Sequence, residues 1–401
     1  MKNLYFLLVI ASLLTACAAP AAGQLEPTSA AIESTLPVIT SETAAPTATI
    51  EPTLTPTPEP EPQWVAFIGN DGNVRMVDRL SGELRNVTTD SSQPAGASSD
   101  QVLYQYWGLK ASSDGQLLAF RRDIGTPHQE GYSYSYEVWV YWVATGESKL
   151  LLANQATVGM DWKPGTHLLA YAVPPEEGYF TGRAQYDLDK ARGIWAVDVD
   201  SGENMELVSP HGYSIANPSW SPDGRYIAFE EIWNMEGSGY VAFYDFETGE
   251  YTTYAEALGM LDWSPDSQRL AYDMLTYTAS GSEQIFLRPL KGGEDLQVAP
   301  DYEQGYTYSP RFSPSGGMIA YLFHNGDPES LLSTVQVQLF DSGEVRSLGD
   351  FENPTHLGWL PDESGLIVSV GPYGTRQVME ISLLDGSVRV LAEGEMAVVL
   401  E

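Results

Sequence analysis

Glu230 and Glu231 stand side by side, and Asp273 occupies the matching place in a neighbouring repeat unit. Carboxyl groups on adjacent units can gather at the mouth of a channel. One protonated and one ionised carboxyl are then enough for acid and base work on a glycosidic bond. Solvated acids on a very acidic surface are the plainer explanation of the same three residues. The chain has no G-x-S-x-G elbow, H-E-x-x-H pair, P-loop or dinucleotide glycine fingerprint. His128, His167, His211, His324 and His356 are scattered, and none has metal-ligand spacing. The run Asp198-Val199-Asp200-Ser201-Gly202-Glu203 opens like a calcium loop but lacks a third ligand and the closing Glu; a strand turn accounts for it. The sequence asks for no metal and no cofactor.

A second group of side chains suits binding. Tyr132, Tyr134 and Tyr136 lie in RRDIGTPHQEGYSYSY, from Arg121 to Tyr136. Tyr179, Phe180, Arg183 and Tyr186 lie in PPEEGYFTGRAQYDLDKARG, from Pro174 to Gly193, and Trp233 lies between Glu230 and Gly239. Tyr, Trp and Arg are the residue types that dominate interface energetics. The alternative is that these aromatics pin long loops to the body of the protein.

Two alternating repeats must position these groups. WSPDGRYIAF, from Trp220, returns as WSPDSQRLAY, from Trp263. Worn copies begin at Ala111, Trp162, Phe312 and Trp359, so the copies are spaced 43 to 58 residues apart. Ser-Pro-Asp-Gly suits a tight turn between strands, because Pro presets φ and Ser supplies a local hydrogen bond. Between the copies runs an apolar strand, a Ser/Thr-Gly-Glu turn and another strand, as in VAFYDFETGEYTTY around Gly249. A period in this range marks a solenoid, propeller or array. Each unit has four strands: one before the first turn, one after it, and two flanking the second turn. The unit that starts at Trp64 lacks its first strand, and Met396 to Leu400 is an apolar strand without a partner. A ring resolves both. The sequence therefore predicts an all-β, seven-bladed β-propeller of four-stranded antiparallel blades over residues 64–401, closed by the C-terminal strand; six blades is the alternative. The irregular loops, with their aromatics, then share one face.

The string W-S-P-D-G-R-x-I-A-F resembles the WD40-like β-propeller repeat of TolB, the periplasmic protein of the Tol-Pal system. The same repeat occurs in propeller domains of dipeptidyl-peptidase IV-type peptidases. The resemblance covers nearly all of 64–401 and implies the fold far more specifically than the function. TolB carries an α/β domain ahead of its propeller, where this chain reads as a stalk. The peptidases carry an α/β-hydrolase domain, and none is expected here.

Lys2 and the apolar run Leu4 to Leu14 read as a secretory signal, too short to span a bilayer. Leu14-Thr15-Ala16-Cys17 resembles a bacterial lipobox, which implies cleavage ahead of Cys17 and a lipid on its sulfur. An ordinary secretory signal and an uncleaved helix are the other readings. The expected organisation is a signal peptide over 1–16, a lipidated Cys17 with a disordered Pro/Thr/Glu-rich linker over 17–63, and the propeller. With 54 acidic and 20 basic residues, the chain is a poor partner for nucleic acid or anionic lipid headgroups. Contact with the membrane is expected through the lipid alone. The composition and motifs lead to a monomeric, lipid-anchored, extracytoplasmic propeller, at the cell surface or in the periplasm, that binds an envelope protein or glycan. A carbohydrate-active enzyme and a Tol-Pal-like envelope component are the alternatives.

Overall fold

The computed structural model describes residues 61–92, 101–129, 131–174, 193–211, 213–232, 239–257, 260–275, 283–298 and 305–400. The chain divides into two units, Met1–Glu59 and Pro60–Glu401; the first, with Cys17, lies outside the described residues.

Every regular element among the described residues is a strand. β1 (Trp64–Gly69), β2 (Val74–Asp78) and β3 (Leu84–Asn86) open the series. β4 (Leu103–Ala111), β5 (Leu117–His128), β6 (Gly131–Trp142) and β7 (Ser148–Ala153) form one antiparallel sheet. β8 (Met160–Trp162), β9 (Leu168–Ala172), β10 (Ile194–Asp198) and β11 (Asn204–Val208) form the next. Then come β12 (Ser214–Trp220), β13 (Tyr226–Ile232), β14 (Gly239–Asp245) and β15 (Glu250–Ala257). A fourth sheet holds β16 (Leu261–Trp263), β17 (Arg269–Leu275), β18 (Glu283–Pro289) and β19 (Leu296–Gln297). The fifth holds β20 (Tyr306–Phe312), β21 (Met318–His324), β22 (Leu332–Leu339) and β23 (Val345–Glu352). The last strands are β24 (Thr355–Trp359), β25 (Gly365–Val370), β26 (Gln377–Ser382) and β27 (Val388–Val399). They share one seven-stranded sheet with β1, β2 and β3.

β27 is the joint in that sheet. Its residues from Val388 to Glu393 pair with β26, and those from Gly394 to Val399 pair with β1. One continuous strand thus serves as the outer strand of the last group and the inner strand of the first. Gly394 stands at the crossover, where a Cβ would lie 2.4 Å from the Ile68 carbonyl oxygen.

The strand after each first turn is apolar on both faces. Ile227, Ala228 and Phe229 are all buried, as expected of a sheet covered on both sides. Ile227 and Phe229 join a cluster with Ala170 and Ile194 of the preceding sheet, while Ala228 joins Trp263 and Leu270 of the following one. Clusters of this kind connect each successive pair of four-strand groups. The recurrent tryptophans sit in them. Trp162, Trp263 and Trp359 each donate an indole N–H to a carbonyl of the preceding group: Lys110, Ser219 and Arg311, at 3.0, 3.1 and 2.9 Å. Trp220 stacks on Phe246 at 5.0 Å instead.

The Ser-Pro-Asp-Gly turn closes on a buried hydroxyl. Ser221 Oγ accepts the Tyr226 N–H at 2.9 Å and donates to Asp223 at 2.6 Å. Ser264 and Ser112 repeat this arrangement with Arg269 and Asp266, and with Leu117 and Asp114.

The structure departs from the sequence reading between Arg121 and Tyr136. The stretch is not an irregular loop. β5 and β6 run on as a ladder from Leu117↔Trp142 to His128↔Gly131. The Ser-Tyr alternation has the period of a strand, so the backbone keeps pairing beyond the body of the sheet.

Ring closure makes Gly394 a sensitive position. Gly394→Ala should lower stability by about 2 kcal/mol or more, since a backbone oxygen has to move. Gly165→Ala, at a turn with open space around it, should cost about half as much. Thermal melts followed by circular dichroism compare the two.

Candidate functional site on the channel axis

A cavity of about 540 Å³ lies where the innermost strands converge. Each of β4, β8, β12, β16, β20, β24 and β27 contributes to its wall. Most of these strands carry a bulge there. The register slips between Trp107 and Lys110, Ala216 and Ser219, Tyr308 and Arg311, and Thr355 and Gly358. Within the slips, Gly108, Asn217, Ser309 and His356 adopt left-handed φ values of 65°, 49°, 56° and 53°. Gly159 and Met396 do the same at matching places, with 88° and 57°. Gly159 is also required sterically, because a Cβ would lie 2.7 Å from Asn217 Cα. Bulges end regular pairing and re-aim side chains.

Glu230 lines the cavity and is pushed up to about 7 by burial, against a hydrogen bond with the Asn217 side chain. Asp273, on β17, is buried and is also pushed up to about 7. Burial is the main cause; the Ser309 N–H, 3.3 Å from Oδ2, opposes it, and Glu283 and Glu230 add to it. Asp273 Oδ1 has no hydrogen-bond partner among the described residues. Asp273 is not part of the cavity wall. Glu231 faces the other way, on the Phe229 side of β13. It is buried and accepts hydrogen bonds from Tyr251 and Thr253, the latter at 2.9 Å. Of the three acids marked in the sequence, two therefore interact and the third does not join them.

The cavity wall also holds Lys110, Arg121, Arg311 and His356, which sequence reasoning did not single out. Burial, with Arg311 and Arg376 close by, pushes His356 down to about 4. A signal for this wall exists in the sequence. The left-handed residue stands three positions ahead of the recurrent Trp or its substitute, as in Asn217 before Trp220 and His356 before Trp359. Among the described residues no group of three His, Cys, Asp or Glu could hold a metal ion. Asp198 accepts the Ser201 N–H at 2.7 Å as part of a strand turn.

The aromatics divide between described and undescribed segments. Tyr134 is 49% exposed, with its ring 6.4 Å from that of Tyr132. Tyr136 lies under the Arg121 guanidinium at 5.8 Å. Tyr134 and Tyr136 line a groove of about 580 Å³ with Gln155, Tyr171, Trp195 and Asn204. Tyr179, Phe180, Arg183, Tyr186 and Trp233 lie outside the described residues.

The raised carboxyls give a pH dependence of known sign. Glu230 and Asp273 have ordinary values of 4.5 and 3.8. Between about pH 4 and pH 7 the folded chain therefore keeps protons that the unfolded chain has released. Stability falls as pH rises through that window, and the full penalty is present above about 7. Glu230→Gln and Asp273→Asn should each gain stability relative to the unaltered protein at about pH 8 compared with about pH 5. Melting curves at the two pH values test this; an equal offset at both would refute the assignment.

No family model matches the chain. Dipeptidyl-peptidase 5 of Porphyromonas gingivalis is 29% identical over 220 residues, covering 52% of this chain and 30% of that protein. The Tol-Pal system protein TolB of Mannheimia succiniciproducens is 28% identical over 172 residues, covering 39% of this chain and 38% of that protein. The chain thus spans about a third of the length of these curated relatives. Among solved structures, a prolyl endopeptidase matches with a TM-score of 0.58 at 15% identity, over 85% of this chain and 50% of that one. An oligogalacturonate lyase in complex with manganese matches with a TM-score of 0.56 at 15% identity, over 83% and 85%. The β-propeller domain of the trilobed protease from Pyrococcus furiosus matches with a TM-score of 0.51 at 13% identity, over 73% and 86%. At such identities these structures bear on the fold alone. With the repeat, the four-stranded sheets and these relatives taken together, the chain folds as a β-propeller similar to that of TolB.

Proposed function

We propose that this protein is a seven-bladed propeller that binds a protein of the cell envelope, held outside the cytoplasm by a lipid on Cys17. Seven blades follow if the seven-stranded sheet is read as two blades sharing β27, beside the five four-stranded sheets. Similarity to TolB, named for the Tol-Pal system, supports an extracytoplasmic place and a protein partner. The observation that carries the binding role is the β5–β6 hairpin. It continues to His128 and Gly131 and presents the half-exposed Tyr134 beside the groove that runs to Trp195. Aromatic side chains on a rigid ladder provide contact area with little ordering entropy to lose.

A glycan-active enzyme is the second reading, favoured by the raised carboxyls of Glu230 and Asp273. Against it, only Glu230 reaches the cavity. A glycosidase needs both carboxyls at the scissile bond. Loss of activity toward a glycoside panel in both Glu230→Gln and Asp273→Asn would favour that reading over the first.

The binding reading is tested with the full chain as bait for a detergent extract of its own cell envelope. A partner retained by the unaltered protein should be lost, or retained at least about tenfold more weakly, on a correctly folded Tyr134→Ala, Tyr136→Ala double variant. Equal retention by both would remove the hairpin from the interface. In parallel, Cys17→Ser should move the protein from the detergent phase to the aqueous phase on phase separation; an unchanged partition would exclude the lipid anchor.

A further inference from the structure

We infer that the channel cavity is a carboxylate-binding site, with the Arg311 guanidinium as the group that takes the anion. This goes beyond the hairpin reading and does not depend on it.

The cavity reverses the charge balance of the chain. The chain has 54 acidic and 20 basic residues. The cavity wall has three basic side chains, Lys110, Arg121 and Arg311, and one acidic side chain, Glu230. The nearby acids are already committed. Asp161 Oδ2 accepts the Trp220 N–H at 2.8 Å, and Asp262 Oδ2 accepts the Phe312 N–H at 2.7 Å. Both serve the same purpose, satisfying a backbone donor on the innermost strand of the next blade. Asp123 grips Arg121 through two hydrogen bonds of 2.7 and 3.0 Å. Lys110 stands 3.5 Å from Asp161 Oδ1.

Arg311 is the exception. Among the described residues its charge acts on the Asp262 carboxyl, but it forms no close ion pair, and its one side-chain hydrogen bond runs from Nη1 to the Pro310 carbonyl at 2.7 Å. Nε and Nη2 keep their donors, which is the fork that matches a carboxylate. The backbone beneath is fixed. The Ser309 bulge sets its direction, and the Trp359 indole bonds the Arg311 carbonyl at 2.9 Å. Burial and the positive charge of Arg311 hold His356, on the same wall, in its neutral form. That field reaches the cavity, where low-dielectric walls strengthen it. A cavity of about 540 Å³ has room for a short ligand or a chain end.

A carboxylate could come from an acidic peptide or from a uronic acid. Calorimetry on the full chain in detergent separates these with two probes, N-acetyl-Glu-Glu-amide and digalacturonate. The Gln-Gln peptide and the methyl ester of digalacturonate serve as neutral controls. At least one acid should bind saturably, and its neutral counterpart at least about tenfold more weakly. Arg311→Gln should weaken that binding at least about tenfold, while the exposed Arg346→Gln leaves it unchanged. Arg311→Lys, which keeps the charge and loses the fork, should also weaken it, and it decides the matter if Arg311→Gln does not fold. Binding of only one acid identifies the source. Binding of neither, or unchanged binding by the folded Arg311 variants, overturns the inference.

Discussion

A four-stranded blade has two apolar faces and can cover neither by itself. Each blade here is completed by its neighbours, and the alanine after the first turn lies in the contact between them. Ala119, Ala170, Ala228, Ala271 and Ala320 are fully buried, each in one cluster with Trp162, Trp220, Trp263, Phe312 or Trp359 of the next blade. A larger side chain would push the aromatic out; a smaller aromatic would leave a void. Such a chain of contacts has no natural end, so it stabilises fully only when the last blade meets the first. β27 provides that meeting through backbone pairing and through Ala397, which packs with Val65, Phe67 and Ile367. With one cysteine in the chain, no intrachain disulfide can share the task. Closure rests on hydrogen bonds, apolar contact and the Arg79–Glu380 ion pair, at 3.1 Å, between the first and last groups.

The same closure creates the channel and its electrostatics. Strands that converge on an axis crowd one another, and bulges relieve the crowding by interrupting the ladder, which resumes on either side. Each bulge leaves backbone groups to satisfy. Asp161 and Asp262 do so across the blade boundary, turning one carboxylate oxygen each to the backbone, while Lys110 and Arg311 reach the cavity wall. Basic side chains outnumber acidic ones on the wall, the reverse of the chain as a whole.

Much of this was legible because repetition averages out local noise. Six copies of one turn and a spare apolar strand at the C-terminus specify a ring. The role of Ser221 was legible only in kind: the turn needs a local acceptor, and the structure adds that its hydroxyl is fully buried. The β5–β6 hairpin was misread because Gly125, Pro127 and Gly131 suggest a loop, whereas the backbone between them continues to pair. Strand parity alone separates Glu230 from Glu231, since Phe229 and Glu231 must share a face. The bulges were missed because left-handed φ is carried by Asn217, Ser309, His356 and Met396 as well as by glycine, so no single residue type announces them. Of the groups that act on Asp273, the repeat spacing reaches Glu230 of β13, whereas Glu283 of β18 and the Ser309 N–H of β20 are placed by the strand pairing and by the bulge.

The repeat also supplies an internal control on what its residues are for. The position after the buried side chain of Phe67, Phe120, Tyr171, Phe229, Tyr272, Tyr321 and Val368 is occupied by Ile68, Arg121, Ala172, Glu230, Asp273, Leu322 and Ser369. The strand and its pairing on both sides are equivalent each time, with β27 standing in for the missing inner strand of the first unit. In four units the fold accepts Ile, Ala, Leu or Ser there, all buried. A carboxyl at the same place is worse for stability: Glu230 and Asp273 are both pushed up to about 7 by burial, and neither has an ion-pair partner among the described residues. Arg121 needs Asp123 to hold it. A fold that works with an uncharged residue at a position, yet keeps a carboxyl without an ion-pair partner in two adjacent copies, is giving up stability there. Departures of this kind collect at functional sites. Here the cost falls on β13 and β17, the only pair of neighbouring copies among the described residues that carry a carboxyl at this place.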